Sequence, residues 1–190
     1  MKNRGGERIT WEKLRIVLDV STEIYLNLNI NHSILDRGIL IELKPFNQQQ
    51  VKQLANSYQH PNNPNNEHRI PELSAVQIQQ LMDSLGGHPY LLQQAFSHLA
   101  RQSLTFDELM QTFSQNPSIY SEHLSEILFQ LTQHPNLVAA FEKVLLSDEP
   151  VQLGSEELFK LKSLGLVKKQ GHQVIVFCGL YRQYFQQVLG

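Results

Sequence analysis

The sequence predicts a mainly helical α+β chain: a remnant of a parallel α/β sheet, then a helical bundle, then a C-terminal winged helix. Three observations predict it. Two short β-branched apolar runs stand near the N-terminus, at residues 14–20 and 39–43. Between residues 47 and 144 the apolar residues recur at helical spacing. Beyond residue 150 come a helix, two extended runs around a glycine turn and a closing amphipathic helix, which is winged-helix order.

Residues 1–8 are polar and glycine-bearing and read as a tail. Leu14-Arg15-Ile16-Val17-Leu18-Asp19-Val20 and Ile39-Leu40-Ile41-Glu42-Leu43 read as strands, and near-continuous apolar runs suit strands covered on both faces, as in a parallel sheet. Pro45 closes that region. The period then becomes helical. Val51, Leu54, Ala55 and Tyr58 share one face, with Asn47 placed as a cap and Gln50 three residues on. The asparagine- and proline-rich residues 60–66 read as a loop. Ile78, Leu81, Met82 and Leu85 mark the next helix, stopped by Gly86-Gly87; His88-Pro89 starts another, with Leu92, Ala95, Phe96 and Leu99 inward. Thr105 and Glu108 form a capping box ahead of Phe106, Leu109, Met110 and Phe113. Leu124, Ile127, Leu128 and Leu131 mark a further helix, and Pro135 sits in the first turn of one carrying Leu137, Val138, Phe141 and Val144.

The last quarter changes character. Residues 151–153 read as a short extended piece, and Ser155 opens a helix with Leu158, Leu161 and Leu164, ended by Gly165. Residues 166–169 and 173–178 flank a turn at Gln170-Gly171, so a hairpin is expected. Tyr181, Tyr184, Phe185 and Val188 give the closing helix.

Composition narrows the function classes. A length of 190 residues suits one large or two small domains, and 41% hydrophobic with 18% charged residues is ordinary globular composition. A net charge of −2 argues against chain-wide attraction to nucleic acid or anionic membrane. No apolar run approaches the roughly 18 residues needed to span a bilayer. One cysteine, Cys178, cannot form an internal disulfide. With no recognisable secretory leader, it points to a reducing cytoplasm.

Stand-alone catalysis lacks its parts. A phosphate-binding loop needs glycines so that backbone N–H groups reach the phosphates, and a lysine for the β/γ oxygens. The pattern G-x-x-x-x-G-K-[S/T] does not occur, and Gly86-Gly87 is followed by His-Pro. Asp19 ends an apolar run as a magnesium-holding aspartate does, but Val20 stands where a second acid would strengthen that reading; a strand-end turn residue is the simpler one. The eight histidines are scattered, and His60, Glu67 and His68 match no compact metal site. Cys178 reads as a small buried hydrophobe.

Three segments together carry a resemblance. They are Trp11-Glu12-Lys13-Leu14-Arg15-Ile16-Val17 running into Ser21-Thr22-Glu23-Ile24-Tyr25; Leu85-Gly86-Gly87-His88-Pro89-Tyr90-Leu91-Leu92; and Leu161-Lys162-Ser163-Leu164-Gly165-Leu166-Val167 leading to Leu180-Tyr181-Arg182-Gln183-Tyr184-Phe185. This resembles the C-terminal part of the bacterial AAA-like domain proteins, which are similar to STAND-class P-loop NTPases. The resemblance implies the end of a nucleotide-binding core at residues 1–45, a helical lid at 46–146 and a winged helix at 147–190. It places Ser21 or Thr22 at a γ-phosphate sensor position. It makes Gly87-His88-Pro89 the lid's glycine–x–proline motif, whose proline packs on the nucleotide base. The phosphate loop and magnesium strand are missing from this sequence, so the chain is expected to be a truncated relative or a piece of a longer protein. ATP or ADP would be held only with a complete core supplied, and no cofactor or metal is expected on this chain alone.

Each site residue also has a plainer reading. Gly87-His88-Pro89 suits a helix–helix corner, and Ser21 and Thr22 suit loop caps. Lys160, Lys162, Lys168 and Lys169 would touch DNA phosphates if the winged helix bound a duplex, but Glu156 and Glu157 open the same helix. Residues 147–190 hold five cations against four carboxylates, too slight a surplus for several phosphate contacts. The expectation is a regulatory or interaction module without catalysis of its own. Its partner would be a protein or a nucleotide-binding core in cis or in trans. The alternatives are a DNA-binding regulator and a dimerisation unit whose strands 14–20 and 39–43 would pair with a second copy.

Overall fold

A computed structural model describes residues 43–59, 69–115 and 117–190. Both expected N-terminal strands, apart from Leu43, lie outside these, as do Asp19, His60, Glu67 and His68. The described chain is mainly α with one small antiparallel sheet. In order it runs α1 Gln48–Gln59, α2 Ala75–Leu85, α3 Pro89–Ala100, α4 Phe106–Ser114, a 3-10 turn Ser118–Tyr120, α5 Ser121–Thr132, α6 Pro135–Leu145, α7 Ser155–Ser163, β1 Val167–Gln170, β2 Gln173–Val176 and α8 Gly179–Leu189.

The helix starts are set by local chemistry. Asn47 Oδ1 accepts from the Gln50 amide at 2.9 Å while Gln50 Oε1 accepts from the Asn47 amide at 3.0 Å. Ser74 with Gln77, and Thr105 with Glu108, make the same reciprocal box at α2 and α4. The Thr105 amide and hydroxyl hold the Glu108 carboxyl below its usual range. Pro89 and Pro135 occupy first-turn positions, where a missing N–H costs nothing.

One apolar core runs from Val51 to Phe185. α1 packs on α2 and α3, and the 3-10 turn seats Tyr120 beneath α3. There the Tyr120 hydroxyl donates to the Leu91 carbonyl at 3.3 Å. The hairpin pairs Val167 with Val176 and Gln170 with Gln173, so the turn residues are Gly171 and His172, one position beyond the expected pair. Val151 adds an antiparallel bridge to Val174, the remnant of the expected extended piece at 151–153. β2 ends at Val176, two residues short of expectation, and Cys178 instead caps α8 as a buried thiol.

α8 is the central strut. It packs on α2, α4, α6 and β2. Leu180, Tyr181 and Phe185 are buried, and Phe185 meets Phe141 of α6 edge-on with ring centroids 5.3 Å apart. From its other side the Arg182 guanidinium donates to the Leu145 and Ser147 carbonyls at 3.0 and 3.2 Å, and Gln186 donates to Leu145 at 2.9 Å. These bonds satisfy orphan carbonyls where α6 ends. Among the described residues no helix is long and apolar enough to cross a membrane.

Candidate functional site

The corner between α2 and α3 draws together the most chemistry. α2 ends because Gly86 turns left-handed, φ 64°, with its amide donating to the Met82 carbonyl at 2.8 Å. Gly87 follows with φ 74°. Neither position has room for a side chain. A Cβ on Gly86 would stand 2.9 Å from the Cys178 Cβ and from the Phe177 ring, and one on Gly87 would run into the Phe46 carbonyl oxygen. The Phe46 amide in turn donates to the Gly87 carbonyl at 2.8 Å. The corner is thus clasped between the segment entering α1 and the link from β2 to α8.

His88 is the N-cap of α3, but its side chain makes no capping hydrogen bond. The ring turns inward instead. It lies edge-on to Phe177 at 5.8 Å, to Tyr181 at 6.5 Å and to His123 of α5 at 5.6 Å between centroids. Its Nδ1 is buried without a hydrogen-bond partner among the described residues. Burial, aided by the neighbouring His123, lowers the His88 pKa from 6.5 to about 4. His123 Nε2 shares a 2.7 Å hydrogen bond with the Tyr181 hydroxyl, joining α5 to α8. Burial lowers its pKa too, against a smaller upward pull from the Glu126 charge.

Pro89 and Tyr90 stay at the surface, with Tyr90 packed on His123 at 5.0 Å. Beside them an open groove of about 430 Å³ is lined by Tyr90, Gln94, His98, Ser118, Ile119, Ser121 and Glu122.

The remaining site residues fall elsewhere. Ser21 and Thr22 lie outside the described residues. Lys160 is paired with Glu156 at 2.7 Å, one turn back on α7. Lys162 is exposed on α7, and Lys168 and Lys169 are exposed on β1. Lys168 holds its ammonium 6.0 Å from the Phe177 ring, whose edge meets His88. Gly87, His88 and Pro89 therefore sit at one junction, and Lys168 reaches it through the Phe177 ring. Sequence reasoning missed His123, which lies 58 positions from its partner Tyr181 and carries no local signal. Among the described residues no group of three or more histidines, cysteines or carboxylates could hold a metal ion.

The family model of the AAA-like domain matches residues 1–187, nearly the whole chain. No curated protein and no solved structure matches it significantly.

Proposed function

Because the chain belongs to the AAA-like domain family, we propose that it serves as the lid and wing of an ATPase-related module of the STAND kind. In this reading it is a regulatory or interaction unit that packs against a nucleotide-binding core, in cis or in trans, and does not turn over nucleotide alone. The Val151 bridge, α7, the hairpin and α8, within residues 147–190, are read as its winged helix.

The observation that supports this most directly is the clasped corner. Pro89 presents a ring with no N–H to satisfy at an exposed helix start, next to the surface ring of Tyr90. Directly behind it, His88 touches α5 and α8 through His123, Phe177 and Tyr181. A nucleotide-bearing core docked at Pro89 would press on residues that also hold the C-terminal unit. Two discrete arrangements of such a packed joint are what coupling between sites requires. Gly87, His88 and Pro89 are then the nucleotide-side contacts, and ATP or ADP is held only when the core completes the site.

Calorimetry with ATP and with ADP tests it. The chain alone should show no micromolar binding and no magnesium-dependent hydrolysis, and observing both would refute the non-catalytic reading. Added to an AAA-like core that carries a phosphate loop, the chain should bind with an affinity that differs between ADP and ATP, and Pro89→Ala should weaken that binding.

A further inference from the structure

The junction behind Pro89 holds two imidazoles, and the surroundings of His88 suit only its neutral form. His88 offers a buried Nδ1 with no hydrogen-bond partner among the described residues, and its ring meets Phe177 and Tyr181 in edge contacts. His123 spends its Nε2 on the Tyr181 hydroxyl. An imidazolium needs acceptors for both N–H groups and repels a second cation nearby. With ring centroids 5.6 Å apart, the two cannot both charge while the joint stays closed.

We infer that the contact of His88 and His123 with Tyr181 is an acid-sensitive latch, and that protonation of the two imidazoles frees the β2–α8 unit from α3 and α5.

The groups facing the pair bear this out element by element. Tyr90 on α3 packs its ring on His123, and burial raises the Tyr120 hydroxyl of the 3-10 turn, which donates to Leu91 of α3, far above the working range. On α8, burial does the same to Tyr181. At the head of that helix, burial pushes the Cys178 thiol up to about 12. Tyr120, Tyr181 and Cys178 stay neutral throughout mild acid. Lys168 on β1, across Phe177, adds a positive charge. Glu126 on α5 is the acid that assists His123, but burial outweighs it. On α2, Asp83 is exposed and accepts from Gln79 at 2.8 Å. Among the described residues no carboxylate is therefore hydrogen-bonded to either ring to receive an imidazolium.

The sign follows from linkage. The opened joint binds a proton with ordinary imidazole affinity, while the closed joint holds His88 near 4 instead of 6.5. The closed form is at full strength above 6.5 and weakens as pH falls towards 4. For one such group, opening should rise ~20-fold between about pH 7 and about pH 5. The latch needs no nucleotide-binding core, so its failure and that of the proposed function are separable.

The test combines histidine ring NMR titration of the full chain with amide exchange over β2 and α8, from about pH 7.5 to about pH 4.5. His88 and His123 should titrate below ordinary imidazole values, and the protection of α8 amides, taken relative to the intrinsic exchange rate at each pH, should fall with acid by the factor above. His88→Phe keeps a ring that cannot charge and should flatten that fall. If it does not fold, His123→Gln, which still offers Tyr181 a hydrogen-bonding side chain, should lower the slope instead. His88 titrating at the ordinary value, or a folded variant keeping the wild-type slope, would overturn the latch.

Discussion

Replacing Gly87 by alanine tests whether the corner is clasped or merely turned. Gly87 sits at φ 74°, where an L side chain costs roughly 1–2 kcal/mol. Its new Cβ would collide with the Phe46 carbonyl oxygen and lie 3.2 Å from the Phe46 amide nitrogen. Relief requires the segment before α1 to move, which breaks the 2.8 Å bond from the Phe46 amide to the Gly87 carbonyl. Losing that bond costs about 1 kcal/mol more. The total, about 2–3 kcal/mol, corresponds to roughly 4–12 °C in a chain of this size. Gly165 is the matched control: its φ is 71° and nothing lies within 4 Å of an added Cβ, so Gly165→Ala carries the backbone strain alone. Urea unfolding followed by far-UV circular dichroism, compared at constant m-value, reads the difference. A Gly87→Ala midpoint equal to or above that of Gly165→Ala would refute the clasp.

Ser74→Ala removes the side chain that accepts from the Gln77 amide and should cost ~1 kcal/mol in a thermal melt. Arg182→Met keeps the aliphatic stem but drops both bonds to the end of α6; a loss of about 1.5–3 kcal/mol and faster amide exchange at Leu145 and Leu146 are expected. Tyr181→Phe strips the hydroxyl from His123 and should raise exchange in α5 and α8 together, leaving α1 unaffected. The chain should not retard duplex DNA at low salt in a mobility-shift assay; a shift abolished by combining Lys168→Glu with Lys169→Glu would instead make the hairpin a DNA-binding wing.

Legibility in the sequence followed the range of the interaction. The Asn47–Gln50 and Thr105–Glu108 caps span three residues and could be read from spacing alone. So could the prolines at the starts of α3 and α6, because a fixed φ and a missing N–H act at the residue itself. The hairpin was read with its turn one residue early, since Gln170 and His172 flank Gly171 with similar polarity and only the pairing of Gln170 with Gln173 sets the register. For the site, Gly87-His88-Pro89 was found as a motif, but the direction of the His88 ring was not. That direction depends on Phe177 and Tyr181, some ninety residues away in sequence, and on His123. Arg182 was likewise invisible as a cap, because its acceptors lie 37 and 35 positions back.

The placement of α8 explains why a corner on α3 could speak to the end of the chain. Tyr181 and Arg182 are neighbours in sequence, so on a helix they point about 100° apart. One reaches His123 in the bundle's aromatic cluster, and the other holds the carbonyls at the end of α6. The two attachments differ in kind. Arg182 carries a fixed charge and binds backbone, which gives a contact indifferent to mild acid. The Tyr181 attachment lies against His88, whose buried surroundings suit only a neutral ring. A push at Pro89, or a proton at His88, therefore acts on the weaker attachment while the Leu145–Arg182 contact persists. Such a displacement would be a rotation about the end of α6 rather than a detachment, because Leu180 and Phe185 remain committed to the shared core. Losing both attachments together would expose that core, which is why the rigid contact and the responsive one must lie on different faces of the same helix.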